Sequence, residues 1–218
     1  MSIGIGENLG KSFGFAKDAT FGHIGRWIGM AVLYLIPIVD FIVTGMFLKI
    51  FRKEEVDFSN AGKSFVQGLL AFIIQLIYMI IPLILGMVLL GASLIPAITT
   101  GGVAGVANAI TGGLSIASLI ITLVVAIIFA LIMTPAIVSF ARGGFGDAFK
   151  FSNIFAMIGK VGWGKYILSI IVLFLVLLVV GVVLGFICLI PILGLIVFIL
   201  AMPFIQIWTY KFWDNLFE

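Results

Sequence analysis

Charged residues are scarce in this chain. Only 10% of its 218 residues are charged, whereas about a quarter are charged in a typical soluble domain. Residues 64–141 and 166–210 contain no Asp, Glu, Lys or Arg at all. A soluble fold would have to expose polar helix faces within such lengths, so both runs must lie largely in lipid. Each run is long enough to cross a hydrocarbon layer of about 30 Å twice.

Cysteine and histidine are nearly absent, since the chain has one of each, Cys188 and His23. A single thiol excludes an internal disulfide and a cysteine metal cluster, and the apolar neighbours of Cys188 predict a buried structural residue. A single histidine leaves no metal cluster and no Ser-His-Asp arrangement. The sequence therefore predicts a protein that is not an enzyme and needs no metal or other cofactor.

The abundant residues are hydrophobic, at 63% of the chain, which predicts an all-α integral membrane protein. We expect about five transmembrane helices plus two interfacial amphipathic helices. Residues 1–26 form an N-terminal amphipathic segment, and residues 27–218 form a single transmembrane domain with an interfacial segment at 145–165. The predicted spans are approximately 27–50, 65–91, 114–141, 166–186 and 191–213, with an uncharged, glycine-rich loop at 92–113.

The two amphipathic segments resemble each other. Phe13-Gly-Phe15, Phe21 and Ile24-Gly-Arg26 correspond to Phe149-Lys-Phe151, Phe155 and Ile158-Gly-Lys160. Each segment has an apolar stripe, formed by Leu9, Phe13 and Ala16 in the first and by Ala148, Phe151, Phe155 and Ile158 in the second. Such stripes are typical of helices that lie in the plane of the lipid head groups.

The distribution of basic residues predicts the topology. The chain has 12 Lys and Arg residues. In a five-span arrangement Lys11, Lys17 and Arg26 lie on one side of the membrane, and all the others lie on the opposite side. The positive-inside rule then places the C-terminus in the cytoplasm and residues 1–24 outside. The alternative is a re-entrant first span, broken at Pro37 to Asp40, which gives four crossings and puts every basic residue inside.

A few polar residues are predicted at membrane depth. Asp40 falls near the middle of the first span, where an aspartate costs about 2.5–3.5 kcal/mol. It is either an ion or proton site, or a carboxyl that satisfies backbone groups freed near Pro37. The second span carries Gln67, Ala71, Gln75, Tyr78 and Pro82 on one face, which we expect to look away from lipid. The polar side chains of this face either line an aqueous path or form hydrogen bonds between helices. The candidate pore or ion-path residues are Asp40, Thr44, Gln67, Gln75 and Tyr78.

Small and hydroxylated residues recur along the third span, including Ser115, Ser118 and Thr122, and predict close helix packing. The loop Ser93–Gly113 contains two glycine clusters but no lysine, so it does not predict a phosphate-binding site. Four tryptophans fall at the ends of predicted spans and are typical of an interfacial aromatic belt.

Three segments resemble a known family. They are Phe149-Lys-Phe-Ser-Asn-Ile-Phe-Ala-Met-Ile-Gly-Lys-Val-Gly-Trp-Gly-Lys-Tyr166, Gly45-Met-Phe-Leu-Lys-Ile-Phe-Arg52 and Gly68-Leu-Leu-Ala-Phe-Ile-Ile-Gln-Leu-Ile-Tyr78. They are similar to an uncharacterised family of prokaryotic, often archaeal, membrane proteins, domain of unknown function 4013. The resemblance implies a polytopic membrane fold and supplies no activity, cofactor or catalytic residue. Asp40 is not part of the family pattern.

Two functions fit these observations. The first is a homo-oligomeric channel or transport protein of the cell membrane, with the scarce polar residues along its path. The alternative is a structural or accessory membrane protein that organises lipid or docks a partner complex. Membrane lipids are the expected partners in both cases. The basic residues lie at span ends and form no patch large enough for nucleic acid.

Overall fold

The structure is a computed structural model. It describes the backbone of residues 3–111 and 113–218. The side chains that it describes are those of residues 3–89, 91, 95, 99, 101–105 and 116–218. The described residues form helices and no strand. The helices are α1 Ile5–Phe21, α2 Ile24–Tyr34, α3 Asp40–Phe51, α4 Ala61–Thr111, α5 Gly113–Gly143, α6 Phe151–Val161, α7 Trp163–Ile187 and α8 Pro191–Leu216, with a 3₁₀ helix at Phe145–Phe149.

Four described helices are long and apolar enough to cross a membrane, namely Ala61–Leu89, Ile116–Gly143, Trp163–Ile187 and Pro191–Leu216. They match the second to fifth predicted spans, so the all-α membrane fold is confirmed. Only 11–22% of the most apolar window of each helix is buried inside the protein. Most of their surface is therefore available to lipid or to other chains, as expected where the solvent is hydrocarbon.

The prediction of one continuous helix over 27–50 is wrong. Helix α2 ends at Tyr34 and α3 begins at Asp40. Between them Pro37 lacks a backbone N–H, and Ile38 has a φ of 74°, a left-handed conformation that is costly for a β-branched residue. Arg26 and Glu55, one near the start of α2 and one beyond the end of α3, form an ion pair of 2.9 Å. The segment therefore folds back on itself, as the broken-span alternative requires.

The chain forms two compact units, Met1–Phe72 with Pro135–Glu218, and Ile73–Thr134. In the first unit α1, α2, α3 and α7 all pack against α8. A hydrophobic cluster joins α1, α2, α3 and α8 and consists of the buried residues Ala16, Met30, Val43, Met46, Phe47, Ile50, Val56, Ile207 and Trp208. Helix α8 is thus the element around which the first unit is assembled.

The buried face of helix α1 overlaps the predicted apolar stripe only in part. Its buried residues are Asn8, Ser12, Ala16 and Thr20, which follow one another at intervals of four and so share one face. Phe13 is 45% exposed. Ala16, a member of the predicted stripe, is buried in the protein, and the short side chains of this face let the α1 backbone approach α8 closely. That close approach lets the Trp208 indole donate a 3.1 Å hydrogen bond to the Leu9 carbonyl.

The second predicted stripe is also divided. Phe151 and Phe155 are 45% and 42% exposed, whereas Ile158 and Ala148 are fully buried. Ala148 belongs to the 3₁₀ helix that precedes α6, so it does not continue the α6 face. The placement of either segment in the head-group plane stays a prediction.

The two ends of the described chain meet. The Asn8 side-chain amide donates to the Phe212 carbonyl at 3.0 Å. The Asn215 amide donates to the Asn8 side-chain oxygen at 2.9 Å and to the Ser12 hydroxyl at 3.2 Å. A helix docked in this way cannot lie across a membrane from the end of α8. This contact favours an even number of crossings, and the topology stays a prediction.

The second unit consists of parts of α4 and α5. A Cβ added to Gly86 would lie 3.0 Å from Thr122 Cγ2, and Ser118 is 6% exposed, which confirms close packing of the third predicted span. The predicted loop at 92–113 is wrong, because α4 runs to Thr111 with a non-helical residue at Gly102. Gly112 and the Ser115 side chain lie outside the described residues.

The turn between α7 and α8 also differs from its prediction. Cys188 is exposed on the protein surface, and its thiol donates to the Gly194 carbonyl at 3.7 Å. The prediction of a buried thiol is wrong, because the short connection to Pro191 leaves few side chains to cover it.

Candidate functional site

Asp40 is the first residue of α3 and follows the break in the apolar segment 24–51. Hydrogen bonds that span three residues instead of four close the end of α2. The Leu35 N–H donates to the Val32 carbonyl and the Ile36 N–H donates to the Leu33 carbonyl, both at 3.2 Å. The Asp40 N–H bonds to the Ile36 carbonyl at 3.1 Å. Its side chain is half-buried and has no hydrogen bond or ion pair with any residue that the structure describes. The break is thus held by backbone bonds, and the carboxyl remains available.

Helices α3 and α4 approach each other through two glycines. A Cβ on Gly45 would contact the Ser64 carbonyl oxygen, and a Cβ on Gly68 would contact the Phe41 carbonyl oxygen, both far inside normal contact distance. Thr44 precedes the first glycine and Gln67 the second, and both side chains are half-buried. The backbones that bear Asp40, Thr44 and Gln67 are therefore neighbours within the first unit.

Gln75 and Tyr78 belong to the second unit. Gln75 is half-buried, and Tyr78 is 2% exposed with its ring 6.1 Å from the ring of Phe129. The predicted inward face of this helix is confirmed at Ala71, Tyr78 and Pro82, which are all buried. The five candidate residues are divided between the two units, and a path through all five stays a prediction.

A charged cluster that the sequence analysis did not identify is centred on Asp214, which is completely buried. Lys53 and Lys211 contact its Oδ2 at 2.6 Å and 2.9 Å, and Arg142 contacts its Oδ1 at 3.0 Å. Arg142 also donates to the carbonyls of Phe51 and Phe217, at 3.2 Å and 3.1 Å. We call Asp214 with these three cations the Asp214 clasp. It fastens the ends of α3, α5 and α8 to one another.

Hydrogen bonds from Lys49 hold the segment that follows α3. The Lys49 ammonium bonds to the Asp57 carboxylate and to the backbone carbonyls of Asp57 and Ser59, at 2.9 Å and 3.0 Å. The hydrogen bonds from Lys49 and from the Ser59 hydroxyl lower the pKa of Asp57 from 3.8 to about 2. This stretch of mixed charge is therefore a structured connection.

Lys53 illustrates two opposing effects. Partial burial alone lowers the pKa of its ammonium group, but hydrogen bonds and charge attraction from Asp214 and Glu218 raise it above the usual 10.5. Lys53 also has a φ of 60°, a left-handed conformation that its two carboxylate contacts help to hold.

One sequence signal could have identified the clasp. Asp214 lies between the aromatic residues Trp213 and Phe217 and three positions after Lys211, a spacing at which helical side chains meet. The contributions of Lys53 and Arg142 have no such local signal, because they come from distant parts of the chain.

Comparison with known proteins identifies the family of this chain. The family model described as Protein of unknown function (DUF4013) matches residues 28–189, which include the three segments quoted above. Neither a curated protein nor a solved structure matches the chain. Since the matched region is well over half of the 218 residues, the chain belongs to the DUF4013 family of proteins of unknown function.

Proposed function

We propose that this protein is a non-enzymatic channel or transporter of the cell membrane, in which the break at 35–40 forms part of a path for a cation or a proton. The observation that carries the proposal is the half-buried Asp40 carboxyl, placed at the start of a helix of 12 residues inside an apolar segment. Ionisable groups in such segments are costly, and transport proteins place them beside ion paths.

The broken segment supports this proposal. Discontinuous membrane helices expose backbone groups that a continuous helix would use internally, and transporters bind ions and substrates at such breaks. Thr44 and Gln67 extend the polar surface from Asp40, since their backbones are neighbours across the Gly45 and Gly68 contact.

The proposed assembly is a homo-oligomer. Between 11% and 22% of the most apolar window of each span is buried inside one chain, and a path for ions needs polar walls on every side. A closed ring of identical chains would supply the missing walls from copies of the same helices.

The proposed topology has four crossings with both ends in the cytoplasm. All 12 basic residues then lie on the cytoplasmic side, as the positive-inside rule favours. A cysteine placed at the exposed position Gly10, in a Cys188→Ser background, tests the orientation with an impermeant thiol reagent. Labelling only after cell lysis is the expected result, and labelling in intact cells would contradict a cytoplasmic N-terminal helix.

Asp40→Asn is the direct test of the proposed function. Asparagine keeps the size and hydrogen-bonding capacity of the side chain but cannot ionise. In proteoliposomes the parent should conduct a monovalent cation or protons, and the Asn variant should change the rate, the ion preference or their pH dependence while folding normally. Asp18→Asn, an exposed acid on α1, is the matched control. Absence of flux in the parent, or identical flux in the Asp40→Asn variant, would contradict the proposal.

The alternative is a structural or accessory protein that organises lipid or docks a partner complex. One observation favours it, because the buried polar side chains of Asn8 and Ser12 are used to hold α1 on α8. Co-purification separates the two functions. An accessory protein would be extracted from its native membrane with another protein in fixed proportion, whereas a transporter would be extracted as copies of itself.

A further inference from the structure

A cavity of about 390 Å³ opens in the first unit between α6, the start of α7 and the end of α8. Two lysines line it, Lys160 in the last turn of α6 and Lys165 in the first turn of α7. Its other walls include Met157, Val161, Asn215 and Leu216. The cavity therefore combines two cationic groups with an amide and several apolar side chains.

Neither lysine has an ion-pair partner among the residues that the structure describes. Most basic residues at the same end of the unit are paired, including Lys49, Lys53, Arg142 and Lys211. One acid, Glu218, also lines the cavity, but it pairs with Lys53 at 2.9 Å. The two unpaired ammonium groups thus leave the cavity positively charged.

The position of the cavity limits its ligand. Lys165 lies in the first turn of the span Trp163–Ile187, and Asn215 and Leu216 end the span Pro191–Leu216. The cavity therefore lies at the level where membrane helices emerge from hydrocarbon, which is where lipid phosphates are found. The positive end of the α7 dipole, between the two lysines, adds to the attraction for an anion.

We propose that this cavity binds the phosphate group of an anionic phospholipid. Lys160 and Lys165 contact the phosphate oxygens. Met157, Val161 and Leu216 line the side along which the glycerol and upper acyl chains descend. The site depends neither on Asp40 nor on ion transport.

The test uses the full chain, stripped of lipid and placed in nanodiscs of phosphatidylcholine with increasing phosphatidylglycerol, with lipid retention counted by native mass spectrometry. The parent should retain phosphatidylglycerol in preference to phosphatidylcholine. Lys160→Gln with Lys165→Gln should weaken that retention about 30-fold, because each of the two lysines contributes about 1 kcal/mol of attraction to an anionic membrane surface. The double arginine variant at the same positions should retain it.

Lys17→Gln with Lys63→Gln is the matched control. Both residues are exposed, have no ion pair in the described part of the chain and lie outside the cavity, so this variant loses the same charge. It should bind phosphatidylglycerol as the parent does. Equal loss in the two glutamine variants would overturn the proposal. Displacement of the lipid by millimolar inorganic phosphate would also overturn it, because free phosphate would then be the ligand.

Discussion

The side-chain amide of Asn215 lies 2.9 Å from the side-chain oxygen of Asn8, although the two residues are almost at opposite ends of the sequence. Ser12 Oγ donates to the same Asn8 oxygen at 3.2 Å, so one buried acceptor serves both α1 and α8. Buried amides rarely lack partners, because an unpaired one costs about 1–3 kcal/mol. This small network therefore fixes where α1 lies along α8.

Cross-linking can test this contact. With cysteines in place of Asn8 and Asn215, and Cys188 changed to serine, a mild oxidant should form an intramolecular disulfide in the membrane. The control is Asn8→Cys in the presence of the native Cys188. Cys188 precedes the first residue of α8, whereas Asn8 contacts its last turns, so the control pair should not form a disulfide within one chain. No bond in the first variant would contradict the docking of α1.

The Asp214 clasp should be a large contributor to stability. Changing Asp214 to Asn removes the charge shared by three cations, whose side chains are 18–46% exposed. Because water partly solvates those cations, we expect a loss of about 2–3 kcal/mol, below the cost of breaking a fully buried ion pair. Thermal unfolding in detergent measures it.

Glu218→Gln is the comparison for the clasp. Glu218 is 58% exposed and, among the residues that the structure describes, pairs with Lys53 alone, so its loss should change stability by less than about 0.5 kcal/mol. Similar effects for the two substitutions would mean that burial of Asp214 has no energetic consequence.

The glycine contact between α3 and α4 makes a second stability prediction. Gly45→Ala or Gly68→Ala would press a methyl group into a backbone carbonyl, and we expect a loss of at least about 2 kcal/mol from overpacking and helix displacement. Gly181→Ala is the control, because nothing lies within 4 Å of a Cβ added there. It should be neutral or slightly stabilising, since alanine favours helix. A melting temperature unchanged by both contact variants would exclude the close approach.

The Lys49–Asp57 pair predicts a specific pH dependence. The pKa of Asp57 is lowered from 3.8 to about 2 in the folded protein, so the folded state favours the ionised carboxylate. The resulting stabilisation is complete above about pH 4 and is lost as the pH falls through 2. The difference in melting temperature between the parent and Asp57→Asn should therefore shrink between pH 4 and 2. A difference that stays constant over this interval would show that the charge is not involved.

The sequence by itself determined that two long segments lie in lipid, and it determined the main helices. Because residues 64–141 and 166–210 contain no charge, no arrangement could keep them in water, and their lengths permit two crossings each. The four spans found in the structure follow directly from that. Composition also indicated which face of α4 turns inward, since Ala71, Tyr78 and Pro82 share one helical face and are buried.

Tertiary structure decided what the local patterns left open. The segment 27–50 is apolar enough to span, but the contacts of α2 and α3 with α8 and the pairing of Arg26 with Glu55 make it fold back. Helix α1 buries Asn8 and Ser12 rather than Phe13, because a close backbone approach and a partner at Asn215 outweigh the apolar stripe. The Asp214 clasp joins residues far apart in sequence. Hydrophobicity is local and additive along a chain, whereas hydrogen-bond and charge partners exist only after distant segments have met.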